Sequence, residues 1–269
     1  MDGRIKPGHD ESSQSESAPL TAALADLSLL QVALVAAAAV FTSVVCGVAG
    51  YGTGLLMPLV LVPLLGPEPV VPVMGLAALL INASRIAAFR THVDTRRSLI
   101  VLAAAVPTCV LGAWFYTRLG SGGILVLIGA FLIASVPLRR LLQSRGFRLG
   151  DRGLAAGALG FGAISGGAVG TGVILVSLLM AAGVAGAAVI ATDAAISVIV
   201  HLVQVMVFGI AGAIDGKVIV VALLIGVCSI PGAFLARAIV HRLSLRVHAA
   251  ILDAVVLFGG ALMVASAFR

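Results

Sequence analysis

The residues of this chain that are equipped for chemistry are few, and most of them sit among glycines. The stretches "GVAGYGTG" (47–54) and "SGGAVGTG" (165–172) each place a threonine between two glycines, Thr53 and Thr171. A third set, Asp193, Ser197, His201 and Gln204, is spaced 4, 4 and 3 residues apart and falls on one stripe of a helix. Asn82 and Arg85 occupy a comparable face in an earlier apolar run. A helix that stops at such a glycine cluster and restarts leaves free N–H groups at its new N-terminus, where the helix dipole favours an anion. Gly50, Tyr51, Gly52, Thr53 and Gly54, with Gly167, Gly170, Thr171 and Gly172, are therefore the candidate substrate-binding residues. The threonine hydroxyls and the Tyr51 phenol would add donors. Asn82, Asp193, Ser197, His201 and Gln204 are candidates for a polar lining or for proton coupling, since histidine titrates near neutral pH.

These residues must be positioned in lipid. Apolar residues make up 61% of the 269 and charged residues 10%, and the mean hydropathy is +1.19. Such a chain is dissolved in a bilayer rather than folded around a core in water. The net charge of +6 does not imply nucleic acid, because the basic residues cluster in short loops between apolar runs. Cys46, Cys109 and Cys228 stand singly in apolar segments, without metal-ligand spacing, and are expected to pack. No catalytic residue, metal or cofactor is expected.

Apolar runs long enough to cross fall at 27–48, 70–89, 98–117, 122–138, 153–169, 185–210, 217–237 and 247–267. Two shorter runs, 54–65 and 172–183, follow the glycine clusters and reach about half-way across. The loops divide by charge. Those at 90–97, 139–152 and 237–248 are rich in arginine, whereas 66–69, 118–123 and 209–217 carry little net charge. The positive-inside rule assigns the first group to the cytoplasm and the second to the outside.

The chain also repeats itself. "AGYGTGLLMPLVL" (49–61) lies over "GAVGTGVILVSLL" (167–179) at an offset of 118, and "VPTCVLGAWFYTRL" (106–119) lies over "IPGAFLARAIVHRL" (230–243) at 124. Each copy holds five segments, so the second is inverted relative to the first. The expected fold is an all-α polytopic membrane protein of two inverted-topology repeats. Each repeat is a broken-helix hairpin plus three transmembrane helices, giving about eight full spans and two half-length helices. The expected divisions are a disordered polar tail (1–26), a first membrane repeat (27–138), a basic cytoplasmic loop (139–152) and a second membrane repeat (153–269). Inverted repeats with helix breaks at equivalent positions are the pattern of secondary transporters.

Plainer readings stand beside these. Glycines also let helices pack closely, and the 193–204 stripe also serves as a polar seam between helices. Arg85 is expected to snorkel toward the cytoplasm. Asp253 suits a helix start, Pro107 and Pro231 suit kinks, and Trp114, Phe115 and Tyr116 suit an interfacial belt. Ser165 before glycine admits an intramembrane serine hydrolase with His201 or His248 as base, and a passive anion channel is a further alternative.

The glycine stretches "GVAGYGTGLLMPLVL" and "GFGAISGGAVGTGVILVSLLMAAGV", each running into a short apolar segment, resemble the TauE/SafE sulfite exporter family. The likeness extends over about residues 27–268. It implies transport of a small sulfur-containing or carboxylate anion, such as sulfite or a sulfonate, by a multi-pass protein of the cell inner (cytoplasmic) membrane. Pro58 has Val176 as its repeat partner, so the two loops are not expected to be equivalent. The partners expected are the small anionic substrate and the lipid bilayer, with no nucleic acid. A homodimer is one option left open.

Overall fold

In the computed structural model, residues 28–49, 54–144, 148–239 and 245–268 are described. Among them there are ten α-helices and no strand: α1 (Leu29–Ala49), α2 (Met57–Leu65), α3 (Val70–Phe89), α4 (Thr95–Tyr116), α5 (Ser121–Ser144), α6 (Asp151–Gly167), α7 (Gly172–Ala181), α8 (Ala187–Ile210), α9 (Gly216–Ile239) and α10 (Leu245–Ser266). Helix is the expected answer for such a composition, because hydrocarbon offers no partner to an unpaired backbone N–H or C=O. Every run read from the sequence is present as a helix, the two short ones included. Of the described helices, those spanning Val70–Ala87, Thr95–Tyr116, Ser121–Leu138 and Ala187–Ile210 are long and apolar enough to cross a membrane. The polar tail (1–26) lies outside the described residues.

The short helices fold back on the long ones before them. The Leu149 N–H donates to the Ala181 carbonyl at 2.8 Å, which brings the end of α7 to the start of α6. A Cβ on Gly157 would stand 2.5 Å from the Leu178 side chain. In the same way Thr42 of α1 meets the sulfur of Met57, the first residue of α2, at 3.9 Å. Both pairs are antiparallel hairpins.

The remaining packing joins the halves of the chain. The main partners are α1 with α9, α4 with α6, α3 with α8 and α5 with α10. The glycines explain how close these axes come. A Cβ on Gly166 would lie 2.3 Å from the Cys109 carbonyl and 2.4 Å from the Ala113 nitrogen, and one on Gly162 would lie 2.2 Å from the Ala105 carbonyl. α4 and α6 thus touch backbone to backbone, the geometry that small-xxx-small spacing permits in lipid. Where α5 crosses α10, Gly129 and Gly260 play the same part. Two buried clusters result. One draws mainly on α1, α2, α3, α5 and α9 with Val256 and Met263 of α10 and the ends of α4 and α8, and the other on α4, α6, α7 and α8.

The loops group as their charges suggest. Arg96 at the start of α4 pairs with Asp151 at the start of α6. The Asp94 N–H donates to Thr192 in the second turn of α8 at 2.9 Å. One end of the bundle therefore collects the arginine-rich loop 90–97 and the start of α6. The opposite end gathers Glu68, Tyr116 and Ser121: Tyr116 donates to the Pro67 and Glu68 carbonyls at 3.1 and 3.0 Å, and Ser121 donates to Glu68 at 2.5 Å.

Three of the minor expectations change. Tyr116 is 2% exposed with its ring 5.4 Å from Phe208, so it belongs to the packed interior rather than a belt. Trp114 and Phe115 beside it are exposed, and Arg118 lies 5.0 Å over the Trp114 ring. Asp253 sits well inside α10 and is held by Arg140 of α5 at 2.8 Å, so it works as an interhelical ion pair and not as a helix start. Arg85 reaches Asp193 of α8 at 3.0 Å and is no free snorkelling cation.

Candidate functional site

The second glycine cluster breaks its helix in a defined way. α6 ends at Gly167, and Ala168 leaves in an extended conformation with its N–H bonded to the Ile164 carbonyl. Gly170 takes φ +83°, a left-handed value that a side chain would resist. Thr171 then starts α7, with no side chain capping the new N-terminus. Gly172, its first residue, has open space where a Cβ would project.

The first cluster comes to meet it. A Cβ on Gly54 would stand 2.6 Å from the Gly170 nitrogen and 2.7 Å from its Cα. One on Gly170 would meet the Leu55 side chain at 2.6 Å and the Gly54 carbonyl carbon at 3.1 Å. The two helix breaks therefore touch, with glycine on both sides of the contact because nothing larger fits. Gly50, Tyr51, Gly52 and Thr53 lie outside the described residues.

Buried polar groups close this junction. The Ser165 hydroxyl donates to the Thr171 hydroxyl at 2.7 Å, which leaves the Thr171 proton uncommitted in that bond. The Gln204 amide donates to the Ser165 and Gly166 carbonyls at 2.8 and 3.1 Å. These are orphan acceptors at the end of α6, and a carbonyl left unpaired in lipid is costly. Gln204 is 1% exposed, and its Oε1 would stand 2.8 Å from a Cβ on Gly75 of α3. Gly167 packs near Leu127 and the Gly112 carbonyl and lines no open space.

The polar stripe of α8 thus divides. Gln204 serves the junction. Asp193, about 16 Å away along the helix, pairs with Arg85, which also bonds the Asn82 oxygen at 3.1 Å. Asn82 donates in turn to the Ala78 carbonyl at 2.9 Å. Between them the His201 ring nitrogen Nδ1 meets the Ser197 carbonyl of its own helix at 2.6 Å. The Ser165 hydroxyl is bonded to Thr171 and His201 to Ser197, so the two do not pair as a hydrolase dyad in this structure. Arg85 is the residue the sequence undervalued. Its signal was its position three residues after Asn82 inside an apolar run.

At the end opposite the arginines, a cavity of about 360 Å³ lies between Glu68, Val73, Gly212, Asp215 and Lys217. Asp215 is committed to the Val218 N–H at 2.7 Å at the start of α9. Among the described residues no group of His, Cys, Asp or Glu is arranged to hold a metal.

A family model, Sulfite exporter TauE/SafE, matches residues 35–263. No curated protein and no solved structure matches the chain. The family match covers all ten helices in part or whole and both glycine breaks. The described residues are all helical, with four helices long and apolar enough to cross a membrane, as such a match requires, and the protein belongs to the sulfite exporter TauE/SafE family of membrane transporters.

Proposed function

We propose that the protein is a secondary transporter of the cytoplasmic membrane that exports a small anion of the sulfite, sulfonate or carboxylate class, and that the anion binds where the two glycine breaks meet. The observation that carries this reading is the contact of Gly54 with Gly170. Backbone that is irregular at membrane depth persists where it faces protein or a wet cavity. Here the uncapped start of α7 offers N–H donors and the positive end of a helix dipole, so an anion is held without a buried cation.

An inverted repeat supports the same reading. The helix pairs α1–α9 and α4–α6 exchange first and fourth helices between copies, while α3–α8 and α5–α10 pair like with like. Shifted by the 118 residues that separate the motifs, Gly157 and Leu178 become Ala39 and Val60, one turn from the Thr42–Met57 contact. Ser43 of α1 donates to the Ser229 carbonyl of α9 at 2.7 Å. The 118 offset carries Ser43 to Phe161, next to Gly162, and the 124 offset carries Ser229 to Ala105, whose carbonyl Gly162 approaches. In this reading α1–α2 and α6–α7 are re-entrant hairpins and six helices cross. That is two fewer than the eight full-length runs of the sequence, because the first run of each copy turns back. The arginine-rich end faces the cytoplasm.

The test is flux. Proteoliposomes loaded with radiolabelled sulfite should show saturable efflux and counterflow, and Gly54→Ala and Gly170→Ala should abolish both while the protein still extracts as a monodisperse species. Non-saturable flux without counterflow would instead describe a channel, and no flux in the parent protein would sink the proposal.

A further inference from the structure

The Arg85–Asp193 pair is a separate feature from the junction, and its geometry is not that of a structural bridge. Buried carboxylates that hold helices together have their lone pairs satisfied. Asp193 is 4% exposed at its side chain, yet its Oδ1 has no hydrogen-bond donor among the described residues. Arg85 uses Nη1 alone, for both Asp193 and Asn82. Its Nε and Nη2 have no partner among the described residues, and the side chain is 37% exposed. One oxygen of the acid thus meets one nitrogen of the base, while the flat two-donor edge that suits a carboxylate or sulfonate stays open. Nor does the duplicated packing demand the pair. At the offset of 118, the counterpart of Asp193 is Gly75, which faces Gln204.

We infer that Arg85 is a loading site for the substrate anion, between the arginine-rich end and the glycine junction, and that Asp193 is a resident competitor which the anion displaces. The inference rests on the transport reading above. Two oxygens of the anion take the Nε–Nη2 edge, and Arg85 turns away from Asp193. The carboxylate is then a buried charge without a cation, and it takes a proton from the adjoining solvent. When the anion moves on to the junction, Asp193 returns to Arg85 and releases the proton to the same side, so no proton crosses with the substrate.

Other ionisable groups near Asp193 are accounted for. Arg85 is the one charged residue of α3 and the one paired with it, and the neutral Asn82 bonds to Arg85. His92 of the 3₁₀ turn (Arg90–His92) bonds to Thr91, Asp94 and Arg97 pair with each other, and Asp151 of α6 is held by Arg96. α7 carries no charged residue. On α8 itself His201 lies two turns on, bonded to Ser197.

The experiment is calorimetric titration of the purified full-length protein with methanesulfonate, whose charge does not change across the range used. Binding should tighten roughly tenfold or more from about pH 7.5 to about pH 5, as protonation removes the competitor. Asp193→Asn should bind about tenfold tighter at the higher pH and lose the pH slope, and His201→Gln should keep the slope. Arg85→Gln should weaken binding about tenfold to a hundredfold, with Arg85→Lys between because it keeps charge but loses the fork. If Arg85→Gln binds as the parent does while Gly170→Ala loses binding, the loading site is wrong and the junction stands. If Asp193→Asn retains the slope, the competitor role is wrong. If the parent protein binds no methanesulfonate at either pH, both readings fail together.

Discussion

Two residues show how differently single side chains serve a membrane fold at its edge and at its centre. Asp94 caps α4: its carboxylate accepts the Arg97 N–H at 3.0 Å and pairs with the Arg97 side chain at 2.6 Å. The Arg97 backbone bond, with help from the Arg97 and Arg96 charges, holds its pKa below the usual value despite some burial. A depressed carboxylate contributes stability that is fully present above the unfolded value of about 3.9 and fades as pH falls through the folded one. Asp94→Ala should therefore lower the melting temperature at neutral pH by the equivalent of about 1 kcal/mol, and the difference from the parent should shrink below about pH 3. Gln204 works where there is no water to replace it. Gln204→Leu keeps the volume but strips the Ser165 and Gly166 carbonyls of their donor, a loss of about 1–3 kcal/mol. Thermal unfolding in detergent should show it, and flux should fall further than stability because these carbonyls fix the end of α6 next to the break. The sequence marked Gln204 as polar but not its task. Its partners are backbone carbonyls 38 and 39 residues away, and a backbone carbonyl leaves no trace in residue type.

Helices were the most legible feature, because a period is unnecessary where an apolar run of sufficient length already decides the matter in lipid. The short helices were legible for the same reason, with "GTG" marking where each begins. What each glycine does was not legible. Gly162 and Gly166 serve the contact of α4 with α6, Gly54 and Gly170 the contact of the breaks, and Gly172 an open space, although all five lie within the same motifs. Composition cannot separate these uses, since a glycine reads the same whether its missing Cβ would meet backbone, a side chain or open space. Substitution separates them. Gly166→Ala drives a methyl into the Cys109 carbonyl and the Ala113 nitrogen, so α4 and α6 must part, at a cost of about 1–3 kcal/mol. Gly160, six residues before on the same helix, has nothing within 4 Å. Gly160→Ala should be neutral or slightly stabilising, and the contrast in melting temperature between the two variants measures the helix contact alone.

At the scale of the molecule, the proposed loading site and the proposed junction site would together fix what crosses the membrane. The junction supplies backbone donors rather than a cation, and in the loading step the proton taken by Asp193 returns to the side it came from. A monoanion then crosses with its charge uncompensated. Leaving a compartment held at −100 mV releases about 2.3 kcal/mol per charge, which supports an outward gradient of roughly fiftyfold without other coupling. The expectation is that an inside-negative potassium diffusion potential accelerates methanesulfonate efflux from proteoliposomes and that collapsing it with ionophore removes the acceleration. A pH gradient at zero voltage should alter only the apparent affinity on the side where Arg85 loads, and should not drive accumulation. Accumulation driven by pH alone would mean that the Asp193 proton travels with the anion. Asp193→Asn should then uncouple the two, so the same variant that tests the loading site also reports the stoichiometry of the whole carrier.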